Sequence, residues 1–114
     1  MPKDDWVYVG HMLDMAQKAL EISAGKGRAD YDQDETLRLA LTHIIQILGE
    51  AAQWVSPECR LTYSQVPWQE IIGMRHRIVH DYLNIDEDVI WEVLQQDLPP
   101  LVKTLQAILP PEYK

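Results

Sequence analysis

Leu37-Arg38-Leu39-Ala40-Leu41-Thr42-His43-Ile44-Ile45-Gln46-Ile47-Leu48-Gly49-Glu50-Ala51-Ala52-Gln53-Trp54-Val55 is the stretch that decides the fold class. Its apolar positions Leu37, Leu41, Ile44, Leu48, Ala51 and Val55 fall 4, 3, 4, 3 and 4 residues apart. That spacing gathers side chains on one face of an α-helix. Asp32 followed by Glu35 predicts a capping box at its start. Ser56-Pro57 predicts its end, because a proline disfavours helix at the residue before it.

The same period appears on either side. Trp6, Val9, Leu13, Ala16 and Leu20 form a stripe on a first helix, with Asp4 as its expected N-cap and Gly25-Lys26-Gly27 as its expected end. Glu58 to Val66 shows no period and reads as a loop. Pro67 suits a first-turn position and opens a third helical segment running to about Leu83. Asn84 or Asp86 can cap the last helix, whose apolar positions run from Val89 through Leu98 to Ile108. Pro99-Pro100 should kink or split it near Leu98. No hairpin signal interrupts the pattern. The expectation is all-α: an antiparallel bundle of four to five helices forming a single domain over residues 1–114.

Composition narrows the functional classes. The 114 residues are 46% hydrophobic and 25% charged, close to the globular average, which argues against disorder. Lone Cys59 has no partner for an internal disulfide. Nothing near the N-terminus resembles a signal peptide, and no apolar run approaches the roughly 18 residues of a membrane span. A cytoplasmic protein is expected. Ten Lys+Arg against 18 Asp+Glu leave a formal charge of −8. Affinity for nucleic acid draws heavily on cations that neutralise phosphates, which argues against a sliding DNA binder, whereas a few cations in one groove can still dominate their surroundings.

The third segment breaks its own pattern. Projected on a straight helix from Trp68, Ile72 falls near +40°, Val79 near +20°, Tyr82 near −40° and Ile78 near −80°, with Arg75 at about −20° in their midst. An isolated guanidinium is costly to bury. Arg75 therefore snorkels past the apolar edge, sits in a buried ion pair, or faces acceptors from a partner. His76 and His80 stand four apart, a spacing that can hold a metal ion. The zinc-protease motif is absent, however, because Arg77 stands where its glutamate would be. They also read as half-exposed helix residues.

A third reading joins Arg75, His80 and Tyr82 around a phosphate. Arginine offers a fork to a phosphoryl group, and histidine moves a proton near neutral pH. These suit attack of a ribose 2′-hydroxyl on the adjacent phosphate. On a straight helix Arg75 and His80 would stand about 140° and about 7.5 Å apart. They converge only if the helix loosens near His80, or if the groove wraps its end or is shared between two chains.

Gly73-Met74-Arg75-His76-Arg77-Ile78-Val79-His80-Asp81-Tyr82 resembles the R-x4-H-x-Y motif of HEPN-domain toxins of the HepT-like family. Ile47-Leu48-Gly49-Glu50-Ala51-Ala52, Val66-Pro67-Trp68-Gln69-Glu70-Ile71, Asp86 through Trp91 and Asp97-Leu98-Pro99-Pro100-Leu101 extend the likeness across most of the chain. The resemblance implies a helical homodimer whose motif grooves lie near the dimer interface. It further implies a metal-independent endoribonuclease toxin of a prokaryotic toxin–antitoxin pair, with transfer RNA a candidate target and no cofactor. By motif, Arg75 would stabilise the phosphoryl transition state and His80 would transfer the proton. His76, where the family carries a polar residue, would assist catalysis or orient Arg75. Tyr82 would accept AMP from a minimal nucleotidyltransferase antitoxin, blocking the groove by bulk and charge. The alternative is a non-catalytic HEPN subunit that binds a nucleotide or docks the nucleotidyltransferase. Glu50 projects away from the apolar stripe and reads as a solvated or interface residue. The acidic run Asp30, Asp32, Asp34 and Glu35 reads as a charged helix start.

Overall fold

A computed structural model describes residues 3–81 and 84–113, with only the backbone described for residues 3, 80 and 81. The chain is an all-α bundle. Its long rods are α1 (Lys3–Ser23), α3 (Glu35–Trp54) and a C-terminal rod made of α7 (Glu87–Glu92), a π-helical turn (Val93–Asp97) and α8 (Leu98–Ile108). Between them lie the short helices α2 (Arg28–Gln33), α4 (Pro57–Thr62), α5 (Trp68–Ile72) and α6 (Met74–Ile78). The described chain closes with a 3-10 turn at Pro111–Tyr113.

The stripe that defines α3 is buried throughout: Leu37, Leu41, Ile44, Leu48, Ala51 and Val55 all face the core. Val9, Leu13 and Ala16 of α1 meet it, and Ile90, Leu94, Leu98, Leu101 and Leu105 close the other side. Each such aliphatic side chain contributes on the order of 1.5–3 kcal/mol by leaving water.

The helix ends show what the spacing pattern misses. Asp4 lies inside the first turn of α1 rather than capping it. Gly25 takes φ +76° just past Ser23, the left-handed geometry that glycine adopts most readily. Asp34, not Asp32, caps α3 by accepting the Leu37 N–H. Asp32 instead belongs to α2, a helix the periodicity does not reveal, where it pairs with Arg28 at 2.8 Å. Asp30 accepts the Gly27 N–H at the start of α2, and Asp34 and Glu35 open α3, so of the acidic run only Asp32 is not a helix-start residue. The expected loop from Glu58 to Val66 begins as α4, capped by Ser56, whose Oγ accepts the Cys59 N–H at 3.2 Å. A helix of six residues, fewer than two turns, is too short to show a period. Pro67 stands just outside α5, and Asp86 caps α7 by accepting the Val89 N–H.

Two departures shape the site. The third segment turns at Gly73 and ends at Ile78, short of Leu83. Val79–Asp81 (β1) then pairs antiparallel with Asn84–Ile85 (β2), in register Val79↔Ile85 and Asp81↔Asn84. The Asp86 N–H donates to the Ile78 carbonyl at 2.7 Å, an oxygen that a continuing helix would have used. At the other end, Pro99-Pro100 does not break the C-terminal rod. The preceding turn widens to a π-helix, relieving the clash and lost donor that proline imposes.

Candidate active site

α3 presents a second, polar face opposite its core stripe. Gln46, Gly49, Glu50 and Gln53 recur at helical spacing and form one wall of a cleft of about 330 Å³. The facing wall is Gln69, Ile72 and Gly73 around the α5–α6 turn, followed by Arg75 and His76. The walls come together because Gly49 has no side chain: a Cβ there would lie 3.0 Å from the Ile71 carbonyl oxygen. The α5–α6 turn is equally tight, since a Cβ at Gly73 would meet the Gln69 carbonyl oxygen at 3.1 Å.

Arg75 does not sit in the apolar stripe. The buried line through this segment is Trp68, Ile71, Met74 and Ile78, while Arg75 and His76 are exposed. Met74, at about −120° in the projection, draws the stripe away from Arg75, and the turn at Gly73 interrupts the straight helix on which that projection rests. Neither a buried ion pair nor a buried snorkelling stem is needed. Arg77 points elsewhere, lying 3.9 Å from Asp97 on the π-helical turn. Burial raises the Asp97 carboxyl above its ordinary value, and the Arg77 charge opposes that rise.

The backbone leaves helical geometry after Ile78, so His80 stands in β1 rather than one turn above His76. The helical pair required for shared metal ligation is therefore not formed. For the same reason the 140° separation of Arg75 and His80 on a straight helix does not apply. The His80 side chain and all of Tyr82 lie outside the described residues. Among the described residues, no cluster of three or more His, Cys, Asp or Glu side chains has a metal-binding arrangement.

The cleft joins Arg75 and His76 to the polar face of α3, five and four residues before His80 in β1. The model of the Ribonuclease HepT-like family matches residues 12–108. The chain belongs to the HepT-like family. A protein of Caldanaerobacter subterraneus subsp. tengcongensis, provisionally named as an RNase, is 33% identical over 105 residues, 92% of this chain and 94% of its own length. A provisionally named RNase of Methanocaldococcus jannaschii is 24% identical over 106 residues, 93% of this chain and 97% of its own. A protein of Thermococcus cleftensis named "Probable ribonuclease HepT" is 28% identical over 72 residues, covering 63% of this chain and 66% of its own. No solved structure matches at the stringency these relatives meet.

Arg75 and His76, both singled out in the sequence, line this cleft. The motif does not point to Gln46 and Gln53, whose signal is the polar periodicity of α3 opposite its core stripe, nor to Gln69 on α5. Glu50 is exposed, as its projection predicts, and lines this cleft while accepting the Trp54 indole N–H at 3.3 Å. Among the described residues, no helix is long and apolar enough to cross a membrane.

Proposed function

We propose that this chain is a metal-independent endoribonuclease toxin acting on cytoplasmic RNA in a prokaryote, with transfer RNA a candidate substrate. Arg75 at the cleft carries this reading: an exposed arginine lining a polar cleft, followed five residues later by a motif histidine in β1. The ribonuclease names of the HepT-like relatives agree with it.

The reaction follows from the chemistry of the two side chains. His80 accepts the proton of a ribose 2′-hydroxyl as that oxygen attacks the adjacent phosphorus. Arg75 holds the non-bridging oxygens, whose negative charge grows at the transition state. The bond to the 5′-oxygen breaks, and that oxygen leaves with a proton taken from water. The products are a 2′,3′-cyclic phosphate and a free 5′-hydroxyl. His76 assists the proton movement or orients Arg75.

The protein works as a homodimer with the motif grooves near its interface. A minimal nucleotidyltransferase antitoxin neutralises it: the Tyr82 hydroxyl attacks the α-phosphorus of ATP, pyrophosphate leaves, and the tyrosine carries AMP. The bulk and negative charge then occupy the groove beside Arg75 and exclude an RNA phosphate.

Expression in a host cell tests the proposal. Wild-type protein should arrest growth, Arg75→Ala should not, and co-expressed antitoxin should rescue wild type but not Tyr82→Phe. Growth arrest by folded Arg75→Ala would overturn the catalytic assignment. Rescue of Tyr82→Phe equal to that of wild type would overturn the modification. A folded wild type that neither arrests growth nor cleaves RNA would favour the docking-subunit reading, with which the acidic surface charge agrees.

A further inference from the structure

Trp54, the last residue of α3, is 62% exposed. Its indole is nevertheless held in place. Its N–H donates to Glu50, and the Tyr8 ring packs along it with centroids 6.4 Å apart and planes 29° from parallel. The hollow beneath it is lined by Glu50 and Gln53, the same two residues that line the Arg75–His76 cleft. A fixed, exposed aromatic plane thus lies along the α3 wall that faces the reactive side chains.

The two walls of the cleft differ in charge. Arg75 and His76 stand on the α6 side, whereas Gln46, Gly49, Glu50 and Gln53 on the α3 side offer amides and a carboxylate but no cation. A nucleotide entering this cleft must therefore turn its phosphate towards α6 and its base towards α3. Amides and a carboxylate match the donors and acceptors of a base edge. An indole at the end of that wall matches a base's π-face, the common platform for unpaired RNA. The other exposed apolar residues of α3, Ile47 and Leu39, lie about two and four turns away.

We infer that Trp54 is a stacking platform for an unpaired base of the RNA substrate, placed along the α3 wall from the phosphate held at Arg75. This rests on the ribonuclease reading and adds to it a substrate class, single-stranded or looped RNA, and a positioning residue. Glu50 acts through Trp54 by fixing the indole.

The test is binding of a short single-stranded oligoribonucleotide to His80→Ala protein, which removes cleavage from the measurement. Trp54→Ala in that background should weaken binding between about fivefold and about 150-fold, the range expected for loss of one base–aromatic stack. Trp54→Phe should recover most of the affinity. Binding should quench tryptophan fluorescence in the parent and much less in Trp54→Phe. An abasic site at one position should weaken binding to the parent and have no further effect on Trp54→Ala. Unchanged affinity in Trp54→Ala would overturn the inference, as would abasic effects simply additive with that substitution, or no binding by the parent. If Trp54→Ala loses affinity only in step with loss of a dimer measured by sedimentation, Trp54 is an interface residue and the inference falls. Wild-type cleavage is scored separately. A protein that cleaves without using Trp54 refutes only the platform, and one that stacks RNA on Trp54 without cleaving refutes only the nuclease.

Discussion

The phenol of Tyr31 donates a hydrogen bond to the Glu87 carboxylate, 56 positions away, and so ties α2 to the first turn of α7. Arg28 strengthens the same junction, bridging Asp32 and Asp88 at 2.8 Å each while its guanidinium lies 5.8 Å from the Tyr31 ring centroid. α7 follows directly on β2, so this junction anchors the element that leads away from the motif.

Burial, and then the bond to Glu87, push the Tyr31 phenol well above its ordinary value near 10. A folded value above the unfolded one means the contribution is complete below about pH 10. It is lost as pH rises from there through the folded value. Tyr31→Phe should therefore flatten the alkaline fall in stability, and should cost about 1.5–3 kcal/mol at neutral pH, the scale for a hydrogen bond to a charged group. Denaturant titrations of both proteins between about pH 7 and about pH 11 check this. Parallel pH profiles would contradict it.

Asp5 is buried at 2% exposure and accepts from the Ser56 N–H at 2.8 Å and the Ser56 Oγ at 2.7 Å. The contact holds α1 against the junction of α3 and α4. Asp5→Ala leaves these donors without their acceptor and should destabilise the fold by about 1–3 kcal/mol, read as a lower denaturation midpoint at unchanged slope. An unchanged midpoint would show that water replaces the carboxylate.

Cys59 is fully buried in this same region, and desolvation pushes its thiol up to about 11. Thiolate is the reactive form, so the native protein at pH 8 should react with a thiol reagent far more slowly than the urea-unfolded chain. Equal rates would show that the α4 region opens freely.

Gly49→Ala places a methyl 3.0 Å from the Ile71 carbonyl oxygen, where backbone rather than a flexible side chain must yield. The expected cost is about 1–3 kcal/mol, read by thermal unfolding. The cleft wall moves with α3, so RNA affinity should fall as well. Undiminished stability would mean that α3 and α5 separate without penalty.

Much of this architecture is legible in the residues themselves. The stripe from Leu37 to Val55 predicts α3 and its buried face, and Pro99-Pro100 marks the place where the last rod distorts. Spacing fails where elements are too short for the pattern to repeat: α2 and α4 have six residues each, and β2 has two. It also fails at Arg75, because a projection assumes one straight helix and Gly73 turns the chain. Arg75 and His76, singled out in the sequence, come to one cleft, while the His80 side chain and Tyr82 lie outside the described residues. The opposing wall is not legible as a site, because Gln46, Glu50 and Gln53 look like an ordinary solvated helix face until Gly49 is seen to bring α3 against α5.

The most direct measurement is RNA cleavage in EDTA by unmodified wild type beside Arg75→Ala, His80→Ala and Arg77→Ala, each checked for folding. Wild type and Arg77→Ala should cleave, leaving 2′,3′-cyclic phosphate ends, because Arg77 pairs with Asp97 away from the cleft. Arg75→Ala should lose about 10²–10³ in rate and His80→Ala about 10²–10⁴. Equal cleavage by all four proteins, or none by folded wild type across a broad panel of RNAs, would contradict the account.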